Sequence, residues 1–286
     1  MQEVLYYRAR ENGALACELC PRGCLIKPGA TGFCRVRKNI DGVLYALNYG
    51  KYTALALDPI EKKPLYHYYP GSLVLSIGTF GCSFHCRFCQ NWQIAQAMAD
   101  GEDITSRELA QLAVGAAERG SIGVAYTYSE PLMWYEFVLD AAQAVKKAGL
   151  KNILVTNGFI RPEPFARLLP YIDALNIDVK GFTGEFYQKI VKGEFTPVLR
   201  AAKQAYQAGK HLEITTLLIP GLNDSVEELT QLTSWIADQL GPEVPLHFSR
   251  YFPNYQMDLQ PTPIETLHLA KDIAAIELKY VYLGNV

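Results

Sequence analysis

A parallel α/β architecture is expected for most of this chain, preceded by a small cysteine-rich, β-containing cap. Two observations carry that expectation. From residue 73 onward, apolar runs of strand length alternate with amphipathic stretches of helix length, which is the rhythm of strand–helix crossover units. Before residue 73 that rhythm is missing, and four cysteines and tyrosine-rich segments of two-residue period stand in its place. The expected division is therefore a cap over 1–72, built around a four-cysteine metal site, and an α/β unit over 73–286.

In the cap, GVLYALNYGKYTALALDPI and KPLYHYYPG read as short strands, with Tyr45, Tyr49, Tyr52, Tyr66, Tyr68 and Tyr69 at half-buried positions. Strands then follow at SLVLSIGTF, IGVAYTYS, KNILVTNG, IDALNIDVKG, HLEITTLLIPG and VPLHFSRYF, and KYVYLGNV adds one more. Helices are expected at TSRELAQLAVGAAERG, PLMWYEFVLDAAQAVKKAG, TPVLRAAKQAYQAG, SVEELTQLTSWIADQLG and TPIETLHLAKDIAAIE. Several open on Ser, Thr or Asp and close on Gly, as capped helices do, and DSVEE places Glu227 and Glu228 to complete a cap. Right-handed crossovers give a parallel sheet with its chemistry at the C-terminal strand ends. Six units fall short of an eight-fold barrel, so a partial barrel and a doubly wound sheet both fit.

The composition of the 286 residues is that of a globular protein, 49% hydrophobic and 20% charged, with a net charge of −2. That balance offers no footprint for nucleic acid or an anionic membrane, and RVRK and EKK read as solvated loop charges. The opening MQEVLYYRARENG has no apolar signal region, and no apolar run reaches membrane-spanning length, so a cytoplasmic location is expected. Seven cysteines, an odd number in two clusters ending at Cys89, suit metal ligation in a reducing compartment better than disulfides.

The stretch GTFGCSFHCRFCQNWQIAQ places Cys82, Cys86 and Cys89 at C-x3-C-x2-C, with no fourth cysteine nearby. Three thiolates can hold an iron–sulfur cube and leave one iron open, which suits a catalyst that binds a ligand on iron and not an electron carrier. The competing reading is a zinc site completed by His85, which lies inside the loop and is expected to point away from its flanking cysteines. Phe84 and Trp92 are expected to shield the site from solvent.

This motif, with Phe88 before its third cysteine at the end of a first strand, resembles the radical S-adenosylmethionine superfamily. The resemblance implies a partial (β/α)6 barrel and a 4Fe–4S cluster that holds S-adenosylmethionine on its open iron. It further implies one-electron cleavage of the sulfonium to a 5′-deoxyadenosyl radical that abstracts hydrogen. CRFCQNWQIAQ, AYTYSEPLMWYEF, VTNGF, NIDVKGF, EITTLLIPGLNDS, PLHFSRYFPNY and YVYLGNV together are similar to the AmmeMemoRadiSam-system radical enzymes, a group related to pyruvate formate-lyase activating enzyme. Members of that group often continue past YLGNV into a cysteine-rich tail, whereas this sequence ends at Val286.

Polar residues recur where the strands stop: Tyr128, Ser129 and Glu130, then Thr156 and Asn157, then Asp178 and Lys180, then His247 and Arg250. A zwitterionic sulfonium cosubstrate needs acceptors for its ammonium, donors for its carboxylate and partners for its ribose. The resemblance places Tyr128–Glu130 at the superfamily's Gly-Gly-Glu segment, receiving the methionine ammonium. It matches Asp178 and Lys180 to a pair orienting the amino-acid group, and His247 to a residue near ribose and adenine. Thr156 and Asn157 are the ribose candidates, although Val155 stands where the activating enzymes carry Asp, and the Tyr128–Glu130 segment lacks both glycines. Taken singly, Glu130 reads equally as a helix-start carboxylate, Asp178 and Lys180 as an ion pair, and His247 as a core histidine.

The motif CELCPRGCLIKPGATGFC sets Cys17, Cys20, Cys24 and Cys34 at C-x2-C-x3-C-x9-C, an all-sulfur set for zinc or an auxiliary iron–sulfur cluster. The expected activity is radical generation for hydrogen abstraction, supplied with electrons by a flavodoxin- or ferredoxin-type donor. The target is a glycine of a partner glycyl-radical enzyme or, within the AmmeMemoRadiSam system, another macromolecule or small molecule. An iron–sulfur electron-transfer module without catalysis is the alternative of a different class.

Overall fold

The computed structural model describes residues 1–97 and 99–286. Eight strands form one sheet: β1 (Ala54–Pro59), β2 (Leu73–Gly78), β3 (Ser121–Tyr126), β4 (Lys151–Thr156), β5 (Ala174–Asp178), β6 (His211–Leu218), β7 (Leu246–Arg250) and β8 (Val281–Gly284). Their spatial order follows the chain from β1 to β8, and β2 to β8 are all parallel. A doubly wound sheet would reverse its strand order part-way, so a monotonic order means crossovers of one sense and helices on one face. Among the described residues β8 does not pair with β1, and the sheet is an open, partial barrel.

Helices α1 (Ser106–Ala117), α2 (Tyr135–Lys147), α3 (Pro162–Leu168), α4 (Thr196–Gln207), α5 (Val226–Leu240) and α6 (Ile264–Ala274) fill the crossovers. Thr105 caps α1 in a reciprocal box with Glu108, and Ser225 caps α5 by accepting from the Glu228 N–H at 3.2 Å. The segment PLMW forms a 3-10 turn, Pro131–Trp134, before α2 begins. The sequence pattern did not announce α3, because its seven residues contain two prolines and too few turns for an apolar stripe to show.

The sheet crosses the division expected at residue 72. β1 runs antiparallel to β2 from the Ala54–Gly78 pair to the Pro59–Leu73 pair, so residues 54–59 belong to the barrel sheet. In the sequence this strand has the same two-residue period as the cap's own strands, which conceals its partner. Residues 2–46 form two small antiparallel sheets, one of Gln2–Glu3, Val43–Ala46 and Arg37–Ile40, the other of Tyr7–Ala9, Leu15–Cys17 and Leu25–Ile26, and Lys51–Tyr52 pairs with Glu102–Asp103.

A buried ion pair fastens these sheets to the barrel: Arg37 Nη1 lies 2.5 Å from Glu136 Oε2 on α2, with side chains 1% and 4% exposed. The other Glu136 oxygen accepts from the Leu5 N–H at 3.2 Å, and the Trp134 indole donates to the Asn48 carbonyl at 2.6 Å. Apolar packing is continuous across the joint, running from Val4 and Leu44 to the helix-facing side of the sheet.

The N-terminal end of the barrel is closed by the chain between β1 and β2. Ile60 and Leu65 pack against the inward residues Val74, Ala125, Ile153 and Ala174. Above them Glu213 of β6, fully buried, accepts from the N–H groups of Tyr66 (3.0 Å) and His67 (2.8 Å), and meets His211 Nε2 at 2.9 Å and His247 Nε2 at 2.6 Å. Burial alone would push this carboxyl up, but the two imidazoles and two N–H groups outweigh it and hold it down at about 2. Because the folded value lies below the unfolded one, this stabilisation is present above pH ~4.5 and is lost as pH falls toward 2. Urea unfolding of Glu213→Gln is therefore expected to show a loss of about 2–4 kcal/mol at pH 7, together with a shallower loss of stability on acidification than the parent chain.

Candidate functional site

A cavity of about 360 Å³ opens at the C-terminal ends of the strands. It is lined by Cys82, Cys86 and Cys89 from the loop after β2, by Tyr128, Ser129 and Glu130 after β3, and by Thr156 and Asn157 at the end of β4. Asp178 and Lys180 from the end of β5 complete the set. His247 and Arg250 are not among the lining residues; Ser249, between them in sequence, is. Strand alternation explains the difference. His247 faces inward one layer lower, where it pairs with Glu213, while Arg250 faces the other side and donates Nε to the Thr262 carbonyl at 2.8 Å.

The cysteine loop is short of secondary structure and is held from outside. The His85 and Arg87 N–H groups donate to the Val191 and Ile190 carbonyls, each at 3.1 Å, so a single π-type turn at Tyr187–Val191 carries the loop. Phe84, fully buried, packs on Phe159 and Tyr187. A Cβ on Gly193 would lie 2.2 Å from the Phe84 ring, so only glycine lets the turn approach. Trp92 stacks on Tyr255 with ring centroids 5.2 Å apart. The His85 ring points away from the thiols, stacked on Phe33 at 3.9 Å with Nε2 3.1 Å from Arg35.

Glu130 is 2% exposed and binds three donors: the Leu132 N–H at 3.0 Å, the Thr156 hydroxyl at 2.5 Å and the Asn157 N–H at 2.8 Å. Burial pushes its carboxyl up to about 7 despite those bonds. Asn157 continues the network, with Nδ2 3.0 Å from Ser83 Oγ and 3.6 Å from Cys82 Sγ. Lys180 Nζ donates to Asp178 at 3.1 Å; burial works against its charge, but Asp178 and the Cys86 sulfur outweigh it and hold the ammonium above its ordinary value.

Tyr128 has φ of 68°, a left-handed conformation that costs a non-glycine residue about 1–2 kcal/mol. Two bonds offset it. The Asn91 amide donates to the Tyr128 carbonyl at 2.7 Å, and the Tyr128 hydroxyl donates to Asp58 at 2.8 Å. Asp58 also receives Lys63 Nζ at 2.8 Å, and both Lys62 and the buried Lys63 line the cavity. Sequence reasoning missed Asp58, Lys63, Asn91, Ser83, Gln96, Thr215, Ser249 and Asn285. All but Asp58 and Lys63 could have been suggested by position, each near a strand end or within the cysteine motif.

The donor set can be tested against an iron–sulfur cluster and a zwitterionic ligand. Burial pushes the Cys86 thiol up to about 12 and Cys82 well above its ordinary value, so three thiolates here need a cation to hold their charge. Ser129 Oγ, Thr215 Oγ1 and Gln96 Oε1 are buried without partners in the walls of this cavity, as polar groups reserved for a ligand would be. Among the described residues no three His, Cys, Asp or Glu side chains come close enough to ligate one metal ion, whereas thiolates on a cluster bind separate irons and stand further apart. The residues present suit the pair.

The radical SAM superfamily profile matches residues 76–233, more than half of the chain. The chain belongs to the radical SAM superfamily. It is similar to the uncharacterized protein MJ0808 of Methanocaldococcus jannaschii, 44% identical over 291 residues that cover 100% of this chain and 86% of that protein. It is also similar to the pyruvate formate-lyase 1-activating enzyme of Escherichia coli K12, 28% identical over 165 residues, 55% of this chain and 66% of that one. In fold it resembles Streptococcus suis SuiB bound to S-adenosylmethionine, with a TM-score of 0.59 at 14% identity over 74% of this chain and 52% of that one. This radical SAM protein is thus an enzyme related to the activating enzymes, in a family that uses a 4Fe–4S cluster and S-adenosylmethionine. No helix among its described residues is long and apolar enough to cross a membrane.

Gly193→Ala is expected to force Phe84 from its place and destabilise the chain by about 1–3 kcal/mol, read as a lowered thermal midpoint and altered near-ultraviolet dichroism.

Proposed function

We propose that Cys82, Cys86 and Cys89 hold a 4Fe–4S cluster and that the adjoining cavity holds S-adenosylmethionine, for hydrogen abstraction from a second substrate. The observation that carries this reading is one cavity, about 360 Å³, shared by three thiols, a buried carboxylate held by three hydrogen-bond donors and an Asp–Lys pair. Bound together, cluster and cosubstrate supply a 5′-deoxyadenosyl radical once one electron arrives from a flavodoxin- or ferredoxin-type donor.

The chain's own residues divide the work of binding. Glu130, already rigid through three donors, presents its charge to the methionine ammonium. Lys180 and Asp178 present opposite charges side by side, suited to the two ends of an amino acid. Thr156, Asn157, Ser129 and Thr215 offer hydroxyl and amide groups for ribose and adenine. His247 and Arg250 act behind the site, through Glu213 and the Thr262 loop, and not on the ligand. Phe88, 4% exposed, keeps water from the third cysteine, and Phe84 does the same on the loop's other side.

Four thiols in the cap, Cys17, Cys20, Cys24 and Cys34, line a second, enclosed cavity and hold a metal, zinc or a further cluster, in the same reading. The substrate proposed first is a glycine of a partner glycyl-radical enzyme, supported by the likeness to the pyruvate formate-lyase activating enzyme. That likeness covers 55% of this chain, against 100% for MJ0808, so it supports shared radical chemistry more firmly than a shared target. A cytoplasmic setting follows from the need for reduced thiols.

Anaerobic reconstitution followed by dithionite and S-adenosylmethionine should yield 5′-deoxyadenosine, and Cys86→Ala should reduce it to background while the chain stays folded. Retained cleavage in that variant would remove the cluster assignment. Glu130→Gln is expected to weaken S-adenosylmethionine binding about 10–100-fold. With the Glu130 carboxyl raised to about 7, protonation opposes binding of the ammonium at lower pH. Affinity in the parent enzyme should therefore rise between pH 6 and 8, and calorimetric titration should find that rise absent in Glu130→Gln.

A further inference from the structure

Asn157, 4% exposed, lines the cavity just beyond the end of β4. A buried carboxamide has two donor hydrogens and two acceptor lone pairs to satisfy, and its fixed neighbours decide which end points where. One of those neighbours is a main-chain N–H: Phe159 donates to Asn157 Oδ1 at 2.9 Å. A main-chain N–H can only donate, so turning the amide over would set two donors face to face. Nδ2 is therefore the end that faces the cysteine loop, 3.0 Å from Ser83 Oγ and 3.6 Å from Cys82 Sγ.

The amide is held there from both sides. On the barrel side its own N–H donates to Glu130 Oε2 at 2.8 Å, and the Gly158 N–H donates to Thr156 Oγ1 at 3.1 Å. On the loop side Arg22 Nη2 donates to the carbonyl of Ser83, the residue that follows Cys82, at 3.1 Å. Cys82 Sγ also accepts from the Phe84 N–H at 3.4 Å. One sulfur thus meets two N–H donors, one from its own loop and one from the neighbouring strand end.

Such donors matter most when the sulfur carries charge. Burial pushes the Cys82 thiol well above its ordinary value, with Glu130 and Cys86 adding to the rise, so a thiolate here depends on its N–H partners and on the cation it ligates. Reduction of an iron–sulfur cluster adds negative charge that its ligand sulfurs share, and hydrogen bonds to those sulfurs favour the reduced form. Lys180 does the same for Cys86 as a charge, but that charge is also drawn on by Asp178 and by the ligand proposed above. Asn157 Nδ2 is a neutral donor and is drawn on by neither.

We infer that Asn157 is a positioning residue whose Nδ2 donates to the Cys82 sulfur and raises the reduction potential of the cluster at Cys82, Cys86 and Cys89. This rests on the cluster reading proposed above. Oδ1 keeps a second lone pair, so the bond is compatible with a ribose contact from the same side chain.

The test is a redox titration of the reconstituted full chain, followed by electron paramagnetic resonance and made without S-adenosylmethionine, so that a lost ligand contact cannot contribute. Asn157→Ala should bind as much iron as the parent and be reduced about 3–10-fold less favourably, a midpoint up to ~59 mV more negative. Thr156→Val breaks the bond to Glu130 in the same network without touching the sulfur, and its midpoint should equal the parent's. An unmoved midpoint in Asn157→Ala would overturn the inference, and so would an equal shift in Thr156→Val, which would mark the effect as loosening of the network. A second measurement needs no variant: with asparagine labelled by nitrogen-15 at the side-chain amide, pulsed resonance of the reduced parent should resolve a weakly coupled nitrogen. A spectrum without that coupling would remove the bond to sulfur. Normal iron content with either negative result leaves the cluster reading standing and strikes only Asn157, whereas a parent chain with no iron at the three cysteines would overturn both.

Discussion

A single carboxylate, Glu130, holds the mouth of this barrel together. It sits where β3 has ended and the helical turn at Pro131 begins, and it ties that turn to the end of β4 through Thr156 and Asn157. Asn157 then reaches Ser83 and Cys82, so one buried charge fixes the relative positions of the β3 end, the β4 end and the cysteine loop. Buried away from water, the charge is costly in the free chain, which is why the carboxyl is pushed up to about 7. A cationic ligand removes that penalty, and binding is thereby coupled to the geometry of three loops at once.

The same economy of anchors joins the N-terminal sheets to the barrel. The Arg37–Glu136 pair is dry, and removing one partner of such a pair typically costs about 3–5 kcal/mol. Its desolvation is partly offset because both groups have further partners, Leu5 N–H for Glu136 and the Met133 carbonyl for Arg37. Position gives the pair its consequence. Arg37 faces the four cap thiols while Glu136 belongs to the helix that starts beside Glu130, so the two cysteine sets are referred to one rigid element, α2.

The alternating strands and capped helices were legible in the sequence because each is written locally, as period-two runs, Thr105 and Ser225 caps, and terminal glycines. The candidate residues that line the cavity immediately after a strand could be named for the same reason, since the C-terminal end of a parallel strand is where polar groups converge. What could not be read was pairing through space. His247 carries the chemistry of a ligand residue, but its role is decided by Glu213 on a neighbouring strand, two layers of alternation that no local pattern records. Tyr128 lacks the glycine expected for its conformation, and only the Asn91 and Asp58 partners explain how a tyrosine holds φ of 68° there. Likewise β1 looked like part of the cap until its antiparallel partner was known.

That antiparallel strand bears on how a second substrate reaches the cavity. A barrel of parallel strands closes when its last strand pairs with its first, but here the first position is taken by β1, whose direction is reversed, and β8 is only four residues long. The two remain the free edges of the sheet among the described residues. Asn285, directly after β8, lines the cavity, so the cavity reaches the β8 edge, whereas Lys62 and Lys63 line it from the segment that closes the other end, because β1 runs antiparallel and ends beside the start of β2. The opposite end of the barrel is filled by Leu65 and the Glu213 network. With that end filled and the cysteine loop covering one flank, the cavity is left open toward the C-terminal strand ends and the unpaired β8 edge, where Asn285 is the exposed side chain, whereas Lys63 is held inside the barrel by Asp58 and cannot meet an incoming molecule first.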